Sequence, residues 1–364
     1  MLSVDVEIAR RELTVAFAAE VADGRTLALT GPSGGGKSSV VAAIAGLAAP
    51  VRGSIGCGAQ VWLDSDARVD VAPERRDCGL VFQDGALFPH LSVWRNVAYG
   101  LDGLPRRERR EAALTALRAF GIDELADARV TVISGGQQRR VALARTLARG
   151  PQVLLLDEPL SALDARTLDD AARTLAEVLA SRSGPSLIVT HDFSQASLLA
   201  DEVAVLDKGQ VVQRGSPDDL VRAPASAFVA EFTGASVLHG VGSREADGVV
   251  AVTLAGGGTV FCAGEQTGSV AVVIRPWDVT LEPAGAAGTS SARNRIPAHV
   301  TSLTPLGGRV RVGLALPEPL VAEVTSSAAA RLGLEPGRAV VATWKATATR
   351  LVPRGSTPTT ERTR

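Results

Sequence analysis

The sequence predicts an α/β domain of the phosphate-loop kind with a helical insert, followed by a small all-β domain. Three observations carry this. Gly31-Pro32-Ser33-Gly34-Gly35-Gly36-Lys37-Ser38 fits the pattern G-x-x-x-x-G-K-[ST], between an apolar run (Leu27 to Thr30) and a helix-forming stretch (Ser39 to Leu47). The runs Cys78 to Phe82, Val153 to Asp157 and Ser186 to Thr190 are apolar almost throughout, as strands buried on both faces of a parallel sheet must be. Beyond Thr233 the chain changes to short Val- and Thr-rich runs separated by Gly-rich turns.

The elements follow in order. Leu2 to Ile8 alternates like an edge strand, with Glu12 to Phe17 as its hairpin mate. Residues 50–72 read as short antiparallel strands, and the strand from Cys78 ends at Gln83. Arg106 to Phe120 carries Ala113, Leu114, Leu117 and Phe120 at helical spacing, and Gly135 to Ala148 is a second helix of the insert. After Val153 to Asp157 come a helix (Ala165 to Ala180), the strand at Ser186, a short helix (Ser194 to Ala200) and a strand (Val203 to Leu206). Lys208-Gly209 turns into Gln210 to Arg214, and a helical stretch from Pro217 to Phe232 closes the first domain, 1–232, with its helical insert at about 84–150. The β domain, 233–353, includes Val249 to Leu254, Val270 to Arg275 and Ala298 to Leu303, with a linker-like segment from Glu282 to Ser291. The tail from Pro353 is polar and reads as disordered. Leu351 to Ser356 matches a commonly engineered protease site or arises by chance.

Composition bounds the function. The chain has 364 residues and a net charge of −1, so no strongly basic surface points to nucleic acid. No apolar run reaches membrane-spanning length. The first residues lack the basic start and apolar core of a signal peptide. The three cysteines, Cys57, Cys78 and Cys262, form no C-x-x-C pair and read as idle thiols in a reducing compartment. The chain therefore reads as cytoplasmic, with any membrane role supplied by a partner. His90, His239 and His299 have no functional context. The only lysines are Lys37, Lys208 and Lys345, in a chain otherwise basic through arginine. A compact ammonium suits the space between phosphates better than a planar guanidinium.

Each chemical motif has its own reason. The glycines of the phosphate loop let backbone N–H groups face phosphate oxygens at a helix N-terminus. Lys37 reaches the β- and γ-phosphates, and the Ser38 hydroxyl is a Mg²⁺ ligand. Asp157 and Glu158 end a buried strand: the first can hold Mg²⁺ through water, the second can deprotonate an attacking water. Ser134-Gly135-Gly136-Gln137 opens another helix N-terminus, where Ser is also an ordinary cap. Gln83 and His191 lie just past strand ends, and alone carry little information.

In order and spacing these elements resemble the nucleotide-binding subunits of ABC transporters, over residues 2–232. The resemblance implies a P-loop NTPase with Walker A at Gly31–Ser38, Ser39 beside it, and Walker B ending at Asp157 and Glu158. It makes Ile133–Gln137 the signature, with Ile133 in place of Leu. Ser161–Asp164 is the D-loop, Gln83 the Q-loop and His191 the switch histidine. It further implies ATP and Mg²⁺, the metal held by Ser38, Gln83 and Asp157. Two subunits would sandwich ATP head to tail, each site completed by the other copy's Ser134, Gly135 and Gly136 with Gln137, so a monomer would hydrolyse poorly. Glu158 would be the base, with His191 and Gln83 as the other catalytic residues.

Pro73 to Gly100 looks like the importer subclass, whose segment after the Q-loop grips a permease. Leu87, Phe88 and Leu91 would there form an exposed apolar patch, or else pack on the helical insert. An extracytoplasmic binding protein would deliver substrate, and the subunit would lie on the cytoplasmic membrane face. Ser291-Ala-Arg293-Asn294 resembles the start of a molybdate-binding β domain, OB-like and of TOBE or Mop type, and Ile274 to Val279 resembles the preceding TOBE segment. This implies a molybdate or tungstate importer, with Ser291, Arg293 and Asn294 as oxyanion contacts; sulfate, iron, sugar or polyamine import are the alternatives, and a non-transport ATPase of this family another. One departure stands out: Ile8 to Glu12 contains no aromatic to stack on adenine, so affinity would lean on the phosphates.

Overall fold

The structure is a computed structural model describing residues 1–10, 13–82, 85–101, 103–161, 165–245, 248–285, 291–316 and 318–353. It divides into two compact units, Met1–Pro217 and Asp218–Arg364.

The first unit opens with β1 (Leu2–Ala9), β2 (Thr14–Val21) and β3 (Thr26–Thr30), then the phosphate loop and α1 (Lys37–Ile44). Next come β4 (Arg52–Cys57), β5 (Gln60–Asp64), the short β6 (Val69–Asp70) and β7 (Cys78–Val81). The helical part holds α2 (Val93–Ala98), α3 (Arg106–Ala119) and α4 (Gly135–Ala148). The unit then runs through β8 (Val153–Asp157), α5 (Ala165–Ser181), β9 (Ser186–Val189), α6 (Phe193–Leu199), β10 (Glu202–Asp207) and β11 (Gln210–Gly215).

Two sheets organise it. One is antiparallel, in the order β2-β1-β4-β5-β6. β1 is therefore an interior strand, not the edge its alternation suggests, because β4 pairs along its other side. The second runs β11-β10-β3-β9-β8-β7, parallel except for β11. β3, β8 and β9 are buried along nearly their whole length, as two covered faces demand. Their carboxyl ends lie side by side, the edge where α/β sheets bind ligands. One core joins α1 to the antiparallel sheet (Val40, Ile44, Phe17, Trp62), and a second joins α2–α5 to the other face of the parallel sheet (Val97, Leu117, Leu143, Leu175, Leu156).

Gly31 is obligatory at the end of β3. Its φ is +138°, and a Cβ there would lie 1.9 Å from the Leu206 carbonyl oxygen. The far end of α1 is held by Arg76, only 3% exposed. Its guanidinium donates to the carbonyls of Ala43 (2.9 Å), Ile44 (2.8 Å) and Val71 (2.8 Å), and pairs with Asp70 at 3.0 Å. Ala43 and Ile44 lie in the last turn of α1, whose carbonyls lack the intrahelical N–H partners of the helix interior.

The second unit begins with α7 (Pro217–Arg222) and α8 (Ala227–Phe232), two short helices where the sequence suggests one stretch. The division thus falls at the first residue of α7, not at 232, because α8 packs Ala227 and Ala230 against Val237, Ala271, Val273 and Val352 of this unit. Its strands are β12 (Ser236–Arg244), β13 (Val249–Leu254), β14 (Thr259–Ala263), β15 (Gly268–Ile274), β16 (Thr280–Pro283), β17 (Asn294–Leu306), β18 (Arg309–Ala315) and β19 (Leu320–Thr325), then α9 (Ser326–Leu332), β20 (Ala339–Trp344) and β21 (Thr349–Pro353). They form two five-stranded antiparallel sheets, β14-β13-β12-β15-β21 and β16-β20-β17-β18-β19, around one core that includes Val252, Val272, Val312 and Trp344. β21 takes in the start of the protease-like match: Leu351 pairs with Val272 and is 6% exposed. The polar tail from 354 lies outside the described residues.

All three cysteines are free, and burial pushes each thiol up, Cys262 to about 11. Among the described residues no helix is long and apolar enough to cross a membrane.

Replacing Arg76 with Met should lower unfolding stability by about 3 kcal/mol, since several buried carbonyls lose a charged donor together. Urea denaturation of the full chain reads this, and an unchanged midpoint would refute the capping role.

Candidate functional site

The phosphate loop is preformed around its own lysine. Lys37 is 6% exposed, and its ammonium donates to the carbonyls of Gly31 (2.9 Å) and Pro32 (2.8 Å). Burial pushes its pKa down, and the negative charges of Glu158 and Asp157 push it back up. Pro32, Ser33, Gly34 and Ser38 face solvent, Gly35 is buried, and Gly36 caps α1 at φ +101°.

Asp157 ends β8. Burial raises its pKa, and the Ser38 hydroxyl bonded to it lowers it. A hydroxyl and a carboxylate on adjoining segments are hard oxygen donors of the kind Mg²⁺ takes. Among the described residues no group of three or more His, Cys, Asp or Glu could hold a metal. A site of two such donors leaves room for phosphate oxygens and water, the way Mg²⁺ is commonly held.

Glu158 follows in the left-handed region, at φ +48°. For a residue with a side chain this costs roughly 1–2 kcal/mol. The surrounding bonds hold it there. Its N–H donates to Val189 O at 2.9 Å, and its carbonyl accepts from the Ser161 hydroxyl at 2.9 Å. The result aims its carboxylate at His191, whose Nδ1 lies 3.2 Å from Oε1. Glu158 is 21% exposed at the side chain and His191 60%, so the pair is open to water on the imidazole side.

Ser134 caps α4 reciprocally: its hydroxyl accepts from Gln137 N–H, and Gln137 Oε1 accepts from Ser134 N–H at 2.9 Å. The capping box occupies Gln137 within its own helix and leaves the Gly135 and Gly136 amides in the helix's open first turn. The structure thus brings together Gly31–Ser39, Asp157, Glu158 and His191. Among the described residues no hydrogen bond or ion pair joins Ser134–Gln137 to them. Gln83 and Asp164 lie outside the described residues.

Sequence reasoning misses the arginines that tie these parts together. Arg139, 7% exposed on α4, donates to Phe82 O (2.9 Å) and the Ser161 hydroxyl (2.6 Å). Arg145, also on α4, donates to Gly85 O and Ala86 O, at 3.0 and 2.9 Å, and its guanidinium lies 5.5 Å from the Phe88 ring centre. Arg10 bonds Ser39 in the first turn of α1. Nothing in the local sequence marks these residues, since each partner is distant along the chain.

Two expectations need correction. Leu87, Phe88 and Leu91 are half-buried rather than an open patch: Leu87 packs on the helical core, and Phe88 meets Tyr99 in a tilted ring contact with ring centres 4.4 Å apart. A groove of about 390 Å³ does pass Leu91, lined also by Trp94, Arg95, Tyr99 and Arg106. In the second unit Asn294 is 2% exposed, and its amide is committed to the Phe261 backbone, accepting from N–H at 2.7 Å and donating to O at 2.9 Å. It bridges strands like a backbone group, and its burial in that role sets it apart from the exposed Ser291. Arg293 lies over the Phe261 ring, 4.0 Å from its centre, and Ser291 is exposed.

Comparison with known proteins agrees with this geometry. Residues 16–161 match the ABC transporter family and residues 290–351 the TOBE domain. The chain is 36% identical over 346 residues to the Fe(3+) ions import ATP-binding protein FbpC 2 of Rhizobium meliloti (strain 1021), covering 88% of this chain and 82% of that protein. It is 41% identical over 246 residues to the molybdenum import ATP-binding protein ModC of Mycobacterium tuberculosis (strain ATCC 25618 / H37Rv), covering 66% of each. A solved structure, the dimeric post-hydrolysis state of the ATP-binding cassette MJ0796 bound to ADP and Pi, superposes with a TM-score of 0.53 at 28% identity, covering 60% of this chain and 99% of that one.

Asn294→Ala should destabilise the chain by about 1–3 kcal/mol, because a buried N–H and carbonyl lose their partner. Molybdate addition should not change that loss in thermal unfolding. A loss seen only with molybdate present would restore Asn294 as an anion contact.

Proposed function

The chain belongs to the ATP-binding subunits of ABC transporters, and from that premise we propose that it works as one of a pair, hydrolysing ATP to drive a membrane importer of an inorganic ion. The observation that carries this is the meeting of Lys37, Asp157, Glu158 and His191 at neighbouring strand ends. ATP enters with its β- and γ-phosphates at the loop, where Lys37 exchanges carbonyl oxygens for phosphate oxygens. Ser38 and Asp157, with Gln83, are the residues that would hold Mg²⁺, which when bound offsets phosphate charge. Glu158 takes a proton from water as the water oxygen bonds to the γ-phosphorus and the bond to ADP breaks. His191, within reach of Glu158, orients that carboxylate and the outgoing phosphate. The Gly135 and Gly136 amides, in the open first turn of α4, suit the other copy's phosphates, which makes each site the property of two chains; the family resemblance gives Asp164 a role in the same pairing.

We assign the first compact unit, Met1–Pro217, to the nucleotide-binding domain, and the TOBE domain to the β-rich unit that follows. The groove past Leu91, Trp94 and Tyr99 suits a permease helix, an arrangement that would hold the subunit at the cytoplasmic membrane face, supplied from outside by a binding protein. For cargo, relatives named for ferric iron and for molybdenum support the two ions equally. The loss of the Asn294 amide weakens an oxyanion site in the β domain without touching transport, since cargo choice would lie with the permease and binding protein.

Glu158→Gln should trap an ATP-bound dimer on gel filtration and reduce hydrolysis by about a hundredfold or more, within the usual range for a general base. In cells lacking the chain, uptake of labelled ferric iron or molybdate should fall, with rescue by the wild type alone. Unchanged uptake of both ions would remove the inorganic-ion reading, and wild-type hydrolysis by the variant would remove the base role.

A further inference from the structure

Arg10 lies beside the phosphate loop with no structural need that would explain its charge. It follows β1, in a turn closed by its own backbone: Arg10 N–H donates to Leu13 O at 2.8 Å, and Leu13 N–H returns the bond at 3.3 Å. The turn sets the side chain against α1, where Nε and Nη2 lie 2.7 and 2.5 Å from the Ser39 hydroxyl oxygen. Ser39 is 4% exposed and directly follows Ser38. Arg10 itself is exposed, and among the described residues no carboxylate pairs with it. A guanidinium has five N–H donors in a planar fork, so most of them remain available on the solvent side of the loop.

Among the described residues of the β1–β2 hairpin, no exposed ring lies beside it. Val15 packs under Gly36, where an added Cβ would meet its Cγ2 at 2.3 Å. Phe17, the one aromatic of the β1–β2 hairpin, is 2% exposed in the core. A triphosphate bound with its terminal phosphates at Lys37 runs past Ser38 and Ser39 toward its α-phosphate. A cation tethered at Ser39, with no carboxylate partner among the described residues, therefore stands where the α-phosphate and the nucleoside would emerge.

We propose that Arg10 is a nucleotide-binding residue that grips the α-phosphate side of ATP by charge, in place of a ring stacked on the base. The inference rests on the ATPase reading above. It makes binding sensitive to the phosphates and indifferent to the base, because a guanidinium on phosphate meets the same group in ATP and GTP.

The test is steady-state hydrolysis of MgATP and MgGTP by the full chain, with calorimetry of MgADP. Arg10→Ala should raise KM for both triphosphates, and Kd for ADP, by about tenfold or more, the loss of one charge-assisted contact. The value of kcat should stay within about twofold, and Arg10→Lys should recover most of the affinity. Should Arg10→Ala fold poorly, Arg10→Gln keeps a donor for Ser39 without the charge and should show the same rise in KM. Unchanged KM, a fall in kcat alone, or a loss confined to ATP would overturn the proposal. A wild-type chain that hydrolyses no ATP would instead overturn the ATPase reading, which keeps the two failures distinct.

Discussion

A single buried ammonium organises the carboxyl edge of the parallel sheet. Lys37 is nearly shut off from water, yet its charge is met by two carbonyls of its own loop and by the fields of Asp157 and Glu158. Burying such a charge without partners would be prohibitive. The loop therefore has to close around it, and β8 has to deliver carboxylates nearby. Gly31 meets the first demand, because only a residue without Cβ can pass so close to Leu206. Arg76 supports the arrangement from the other end by holding α1 in place through its terminal carbonyls. The site is in this sense assembled before any phosphate arrives, so binding exchanges one set of oxygen partners for another instead of ordering a loose segment.

Glu158 adds a second constraint. Its left-handed backbone is held by Val189 on one side and Ser161 on the other, and Ser161 is in turn gripped by Arg139 of α4. Arg139 also holds Phe82, and Arg145 holds Gly85 and Ala86. One helix therefore joins the backbone beside the acidic residues to the segment leading to the Leu91–Tyr99 groove. The same helix begins at the Ser134 cap, which among the described residues shares no hydrogen bond with its own phosphate loop.

The parts legible in the sequence are those whose chemistry is local. A phosphate loop needs its glycines, lysine and hydroxyl within eight consecutive residues, so Gly31–Ser38 reads directly. Buried parallel strands are apolar end to end, which placed Val153–Asp157 and Ser186–Thr190 within a residue of the observed β8 and β9. The Lys208-Gly209 turn was legible for the same reason: both residues take positive φ, as a tight hairpin requires. What escaped was long-range. Arg10, Arg76, Arg139 and Arg145 look like surface arginines until the fold brings distant carbonyls and hydroxyls to them. Asn294 escaped differently. Its amide suited an anion in the sequence, but a side-chain amide has the same donor and acceptor as a peptide group, and the sheet used it as one.

The three shielded thiols have a practical consequence. Because burial keeps Cys57, Cys78 and Cys262 protonated at neutral pH, they are slow nucleophiles. A cysteine introduced at an exposed position, such as Val132 or Leu198, would outcompete them for a maleimide dye. The native chain thus serves as a low-background host, and distances between the turn before α4 and helix α6 can be followed by fluorescence during turnover without first removing a residue from either core.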